Sequence, residues 1–244
     1  MKKILLIALP LLLIVGCSKE PVAGPTLIDI DGNSYKTVKI GNKIWMAENL
    51  KVTHYRNGDE IPTGHSNDDW YDLSTGAYAV WGNNKSNVDA YGYLYNWNAV
   101  NDSRNIAPEG WHVPTDDEYK EMEMYLGMSQ KEAYTTSWRG ENEGSKLASR
   151  ADLWKDDPGP GPLEKDSKFG TSGFNALPGG GRDNTSGIFH DMGNFGYFWT
   201  SNQHTSPHYG DGDAWHREVF HWKSSIYRGW SNKGNGYSVR CVMD

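Results

Sequence analysis

The stretch Gly110-Trp-His-Val-Pro-Thr-Asp-Asp-Glu-Tyr119 places one histidine and three carboxylates within a few residues of each other. Those side chains suit acid/base or metal chemistry, but their order spells a helix start. Pro114 disfavours helix for Val113 and allows it afterwards. Thr115 and Glu118 have the spacing of a capping box, in which the Thr hydroxyl accepts from the third amide and the Glu carboxylate reaches back. Asp116 and Asp117 fall in the first turn, where the helix dipole favours negative charge. Tyr119, Met122 and Leu126 then share a face up to Gly127, which stops the helix. Each acid thus has a local structural role, and His112 reads as a packed, hydrogen-bonded neighbour rather than a base.

Strand patterns surround this helix. Leu27–Ile30 and Tyr35–Ile40 flank Asp31-Gly32, a hairpin signal, and Gly41-Asn42-Lys43 turns the chain into Ile44–Ala47. Residues 54–90 are polar and turn-rich with scattered Trp and Tyr, and read as long loops. The prolines of Lys155–Leu163 exclude helix and central strand there. Gly196–Ser201, Ala214–Trp222 and Tyr237–Met243 read as strands. In the last, Tyr237, Val239, Cys241 and Met243 alternate with Ser238 and Arg240, as in a half-buried strand. The chain carries 11 Trp, 14 Tyr and 6 Phe, whereas Leu and Ile are sparse beyond the first residues. A core of large flat rings with polar tips suits an irregular, loop-rich fold better than a helical bundle, and the organisation from residue 27 onward supports a single domain.

The first residues carry an address. Lys2 and Lys3 precede the apolar run Ile4–Val15, which ends at Gly16-Cys17. At about 12 residues the run is too short to span a bilayer, which takes roughly 20, and it has the layout of a secretory leader over 1–16. Ile14-Val15-Gly16-Cys17 resembles a lipobox, which predicts diacylation of Cys17, a tether over 17–26 and anchorage in the outer membrane. Ser18-Lys19-Glu20 resembles the short charged signals that carry some lipoproteins to the cell surface. With Cys17 lipidated, Cys241 has no partner for an intramolecular disulfide. The net charge of −7, more negative once Lys2 and Lys3 leave, gives no basic face for nucleic acid.

Six motifs carry a family resemblance: "DIDGNSYKTVKIGNKIWMAENL" (29–50), "YGYLYNWNAV" (91–100), "PEGWHVPTDDEY" (108–119), "GFNALPGGGRD" (173–183), "GYFWTSN" (196–202) and "GYSVRCVMD" (236–244). In this order they resemble the Fibrobacter succinogenes major paralogous domain of surface lipoproteins. That domain is in turn similar to C-type lectin-like folds and to formylglycine-generating enzymes. The resemblance implies a single α+β, C-type-lectin-like domain over 27–244, with few helices, short antiparallel strands and long loops, and an envelope location, and no activity. The cysteine pair of the formylglycine-generating enzymes is missing. So are the Glu-Pro-Asn, Gln-Pro-Asp and Trp-Asn-Asp triplets of calcium-dependent lectins, and fold analogy alone supplies neither chemistry.

No catalytic constellation and no cofactor motif can be read. Gly179–Asp183 lacks the Lys-Ser or Lys-Thr of a phosphate loop and reads as a tight turn with an Arg182–Asp183 pair. Segment 202–216, with His204, His208, Asp211, Asp213 and His216, reads as a solvated loop. Pro207 and Gly210 spoil helical zinc-ligand spacing there, and Asp211 and Asp213 remain an alternative for Ca²⁺. The expected function is a non-catalytic binding module whose leading ligand is glycan. Loops 54–90 and 202–216 supply aromatic faces and hydrogen-bonding groups. The predicted site lies on the second, with Tyr209 and Trp215 as stacking platforms and Asp211, Asp213 and His216 as polar partners. The alternatives are an adhesive or structural subunit binding another envelope protein, and an unrecognised enzyme.

Overall fold

The computed structural model describes residues 21–156, 161–206 and 210–244, so Cys17 and Tyr209 lie outside the description. The first strands form where their turn residues permit. β1 (Val22–Ala23) leads to β2 (Leu27–Ile28) and β3 (Ser34–Tyr35), which pair across a turn where Gly32 takes φ 82°. The Asp29 carboxylate accepts from the Asp31 and Asn33 amides and shapes that turn. β4 (Thr37–Ile40) pairs with β5 (Lys43–Met46) across Gly41 instead of extending β3. Residues 54–90 hold more structure than their polarity predicted: α1 (Asn67–Tyr71), closed by a Ser66–Asp69 capping box, β6 (Tyr78–Ala79) and α2 (Val88–Tyr91).

Then follow β7 (Leu94–Tyr95), α3 (Trp97–Val100), β8 (Trp111–His112) and α4 (Asp116–Tyr125). α5 (Gln130–Ala133), β9 (Ser137–Arg139), α6 (Glu143–Leu147), β10 (Gly179–Arg182) and β11 (Phe189–Met192) continue the chain. β12 (Phe195–Ser206), β13 (Gly210–Phe220), β14 (Lys223–Asn232) and β15 (Val242–Met243) complete it. One sheet has the order β1-β4-β5-β15-β8 and the other β11-β10-β12-β13-β14-β9, with two-stranded pairs β2-β3 and β6-β7. Among the described residues the architecture is mixed α and β, dominated by mostly antiparallel strands, with few and short helices and no barrel. No helix among the described residues is long and apolar enough to cross a membrane.

The central part of the second sheet is covered on both faces. Strand alternation sends Trp199 and Tyr197 into a core with Tyr35, Tyr55, Tyr95 and Trp97. It sends Phe198, Val219 and Ile226 into another with Trp45, Tyr119 and Phe174. Each ring removes about 150–250 Å² from water, which is how few aliphatic side chains suffice. Cys241 is fully buried, and burial raises its thiol pKa, so it is inert packing.

The opening stretch folds as its order dictates. Thr115 accepts from the Glu118 amide, and Glu118 accepts from the Thr115 amide at 2.8 Å. Tyr119 and Met122 are buried, and Gly127 ends the helix at φ 120°. His112 lies between carboxylates, 2.9 Å from Glu118 and 2.6 Å from Asp244. Asp116 does more than complement the dipole. Arg228 donates to both its oxygens, at 2.9 and 2.7 Å, and Arg217 donates at 2.8 Å. Arg217 also reaches Glu123 at 2.6 Å, and Arg139 bonds its other oxygen at 2.5 Å. A buried ion network therefore cements α4 to β9, β13 and β14.

Three expectations are corrected. Gly179–Arg182 is a strand rather than a tight turn. Arg182 turns from Asp183 to the carbonyls of Gly187, His65 and Ser66 because the surrounding loops bury backbone oxygens that need donors. Of Tyr237–Met243 only Val242–Met243 is a strand, and Arg240 before it is fully buried rather than solvent-facing, bonded to Asn49, Met46, Phe174 and Asn175 from the segments that cover it. Segment 202–216 is mostly the paired far end of β12 and β13, not a loop. Lys155–Leu163 lies partly outside the described residues.

Candidate functional site

Two surfaces gather exposed aromatic and hydrogen-bonding groups. The first is a cleft of about 850 Å³ between segments 53–66 and 78–93. Tyr78 and Tyr93, both half-buried, line it with ring centroids 4.5 Å apart and planes tilted by 41°. The buried Tyr95 ring stands behind both, at 6.1 and 6.3 Å. Thr63, Ser66, Asn83 and Lys85 supply hydroxyl, amide and ammonium groups along the walls. Burial raises the pKa of both tyrosines, so at neutral pH each keeps its proton and can donate as well as accept.

The walls are held by specific contacts. Arg182, fully buried, donates at 2.9 and 3.0 Å to the His65 and Ser66 carbonyls and fixes the wall that leads into α1. Its guanidinium lies 4.4 Å from the Trp70 ring. Tyr93 is set by the residue before it. Gly92 takes φ 68°, and a Cβ there would stand 2.7 Å from the Leu50 carbonyl oxygen. Only glycine lets the chain approach closely enough for the Tyr93 amide to bond that oxygen, at 3.1 Å. On the other side Ile61 and Tyr55 amides bond Thr53 and Asp59 carbonyls at 2.8 Å, making segment 53–61 a tight hairpin. Arg56 ties it to the Ala107, Pro108 and Trp111 carbonyls.

The second surface is the far end of the β12–β13–β14 sheet. Alternation places Asp211, Asp213 and Trp215 on one face and His216 on the other. Asp211 is exposed and Asp213 half-buried. Trp215 is half-buried and walled in: the Arg228 guanidinium lies 3.9 Å from its ring, and His204 and Trp230 meet it edge-on at 4.9 and 5.5 Å. The open ring is Trp230, 44 % exposed and stacked on His204 at 4.1 Å. Sequence reasoning missed Trp230 because its strand was not foreseen. His216 cannot join this surface. It is buried on the opposite side beside Trp199 and Tyr237, and its Nε2 pairs with Glu218 at 2.8 Å. The polar side chain is accommodated inside by that carboxylate, which the sequence could not place. Among the described residues no group of three His, Cys, Asp or Glu is arranged to hold a metal ion.

Of the two loops read as binding surfaces, 54–90 forms a concave wall and 202–216 a paired sheet end. Tyr78, Asn83 and Lys85 were visible only as members of the polar segment 54–90, and Tyr93 lies just beyond it. Gly92 and the close spacing of aromatic residues after it are the sequence signals closest to the cleft.

No curated protein and no solved structure matches this chain. The family model of the Fibrobacter succinogenes major domain matches residues 38–243, which takes in the second sheet, all of the first but its edge strand β1 and the start of β4, the cleft and the α4 ion network, and the chain belongs to that family.

Proposed function

We propose that this chain is a cell-envelope lipoprotein, anchored through Cys17 in the outer membrane, whose domain is a non-catalytic binding module for glycan. The observation that carries the ligand class is the cleft. Two half-exposed tyrosine rings stand beside hydroxyl, amide and ammonium groups on walls fixed in advance. Flat rings cover the apolar faces of sugars while convergent polar groups meet their hydroxyls. A pre-formed wall loses little conformational freedom on binding. The finer fold assignment, C-type-lectin-like, rests on the motif resemblance and on the late strand β15 lying between β5 and β8.

Binding of the soluble domain (residues 21–244) to a glycan array tests this reading. The captured glycan should lose about 1–3 kcal/mol of affinity when Tyr93 or Tyr78 is replaced by alanine. Folded variants that bind as the parent does would remove the cleft from consideration. For the anchor, Cys17→Ala should abolish labelling by a radioactive fatty acid, and equal labelling would refute it.

A second reading, adhesion to another envelope protein, draws on Trp230, an exposed ring of the type that anchors protein interfaces. Co-purification from envelope extract that is lost with Trp230→Ala and kept with Tyr93→Ala would favour it.

A further inference from the structure

We propose that the cleft receives a glycan chain lengthwise rather than a single sugar, an inference that rests on the glycan reading of this site. A second concavity of about 610 Å³ borders the first, and the two share Thr53, Thr63 and Tyr78. Shared walls make them halves of one trough, with Tyr78 at the saddle. Pockets for drug-sized ligands occupy about 300–1,000 Å³. Each half alone meets that size, so the continuous trough exceeds what one sugar fills.

The saddle is tied across rather than hinged. The Tyr78 amide donates to the Pro62 carbonyl at 2.9 Å, and the Thr63 hydroxyl donates to the Tyr78 carbonyl at 2.9 Å. The chain path is thus present before a ligand arrives. The chemistry of the lining continues through both halves: Tyr93 on one side of the saddle, Ile61 and Pro62 on the other, with Tyr78 and the threonine hydroxyls shared between them. Lys85 lies in one half and Glu60 in the other. His54 in the second half is committed to Asp31 at 2.5 Å. A trough with one cation in one half, one anion in the other and hydroxyl and amide groups beside them favours neither a polyanion nor a polycation. It matches a neutral polyhydroxyl chain with alternating apolar faces and hydroxyl edges.

The test is titration calorimetry of the soluble domain with two length-defined series, maltose oligomers and N-acetylglucosamine oligomers, from one to six units. In whichever series binds, affinity should rise at least about tenfold between one and four units as contacts accumulate on a rigid surface. Tyr93→Ala should weaken every length, while Glu60→Ala should weaken only the chains long enough to pass Tyr78. Equal affinity at all lengths, or equal weakening of all lengths by Glu60→Ala, would overturn the lengthwise chain and leave the glycan reading standing. Silence of both series together with a silent glycan array would overturn the glycan reading, and this inference with it.

Discussion

Arg217 and Arg240 are both fully buried, yet they are satisfied in opposite ways. Arg217, where α4 meets the sheet, faces two carboxylates, and these outweigh burial and raise its pKa. Arg240 meets an amide oxygen and three backbone carbonyls, and burial lowers its pKa to about 9, so it still carries its charge at neutral pH. Arg182, beside the cleft, belongs with Arg240: three carbonyls, and burial lowers its pKa to about 10. The difference follows the backbone around each residue. Helix and strands satisfy their own amides and carbonyls, so at their junction an arginine serves as a charge. Irregular segments bury carbonyls that no ladder satisfies, and there the guanidinium serves as a fork of donors. In this loop-rich domain arginines do for the loops what hydrogen-bond ladders do for the sheet.

The charge junction should break hardest. Glu123→Ala leaves Arg217 and Arg139 facing each other without their shared anion, and truncating one partner of a buried pair costs about 3–5 kcal/mol. Urea denaturation checks it, and a loss under 1 kcal/mol would show that the network is not a charge device. Acid attacks the same junction without mutation. Burial pushes the Asp116 carboxyl up, but Arg228 and Arg217 prevail and hold it well below its unfolded value of 3.8. Folding therefore favours the deprotonated form, and the stabilisation is complete above about pH 4 and drains away as pH falls further. The melting temperature of the parent should drop below pH 4, and Asp116→Asn should flatten that drop.

Arg182→Lys sharpens the comparison, because it keeps the charge and loses the fork. Leaving the Gly187 and His65 carbonyls without their donor, while Ser66 keeps the Trp70 amide, should cost about 1–3 kcal/mol, with weaker binding in the cleft. Parent-like stability in this variant would mean that charge, not donor geometry, holds the wall. The smallest effect belongs to a position outside both regions' arginines. Thr115→Ala should cost about 1 kcal/mol through the lost helix cap and leave ligand affinity unchanged.

What the sequence disclosed was local. The capping box, the Gly127 stop and the Gly41 turn depend on neighbours a few residues away and could be read directly. The hidden features depend on distant partners. β14 escaped notice because Arg228 occupies a core-facing position, which breaks the apolar alternation, and its partner Asp116 lies 112 residues away in sequence. Ser238 and Arg240 look like a solvent face until Asn49, 189 and 191 residues distant, covers them. The cleft was legible as a segment, 54–90, but not as residues, since the pairing of Tyr78 with Tyr93 requires β6 to fold against β7. His216 misled for the opposite reason: a polar side chain amid polar neighbours looks wet until Glu218 is found beside it.

The placement of β15 has a temporal consequence. Val242 pairs with Trp45 on one side and His112 on the other, and the Cys241 amide meets the Met46 sulfur 195 residues away in sequence. A central strand supplied this late gives the sheet a high contact order, which slows folding. Until residue 242 emerges from the ribosome, β5 and β8 have no strand between them and the first sheet stays open. The chain is thereby kept from completing its first sheet until nearly all of the domain has been made.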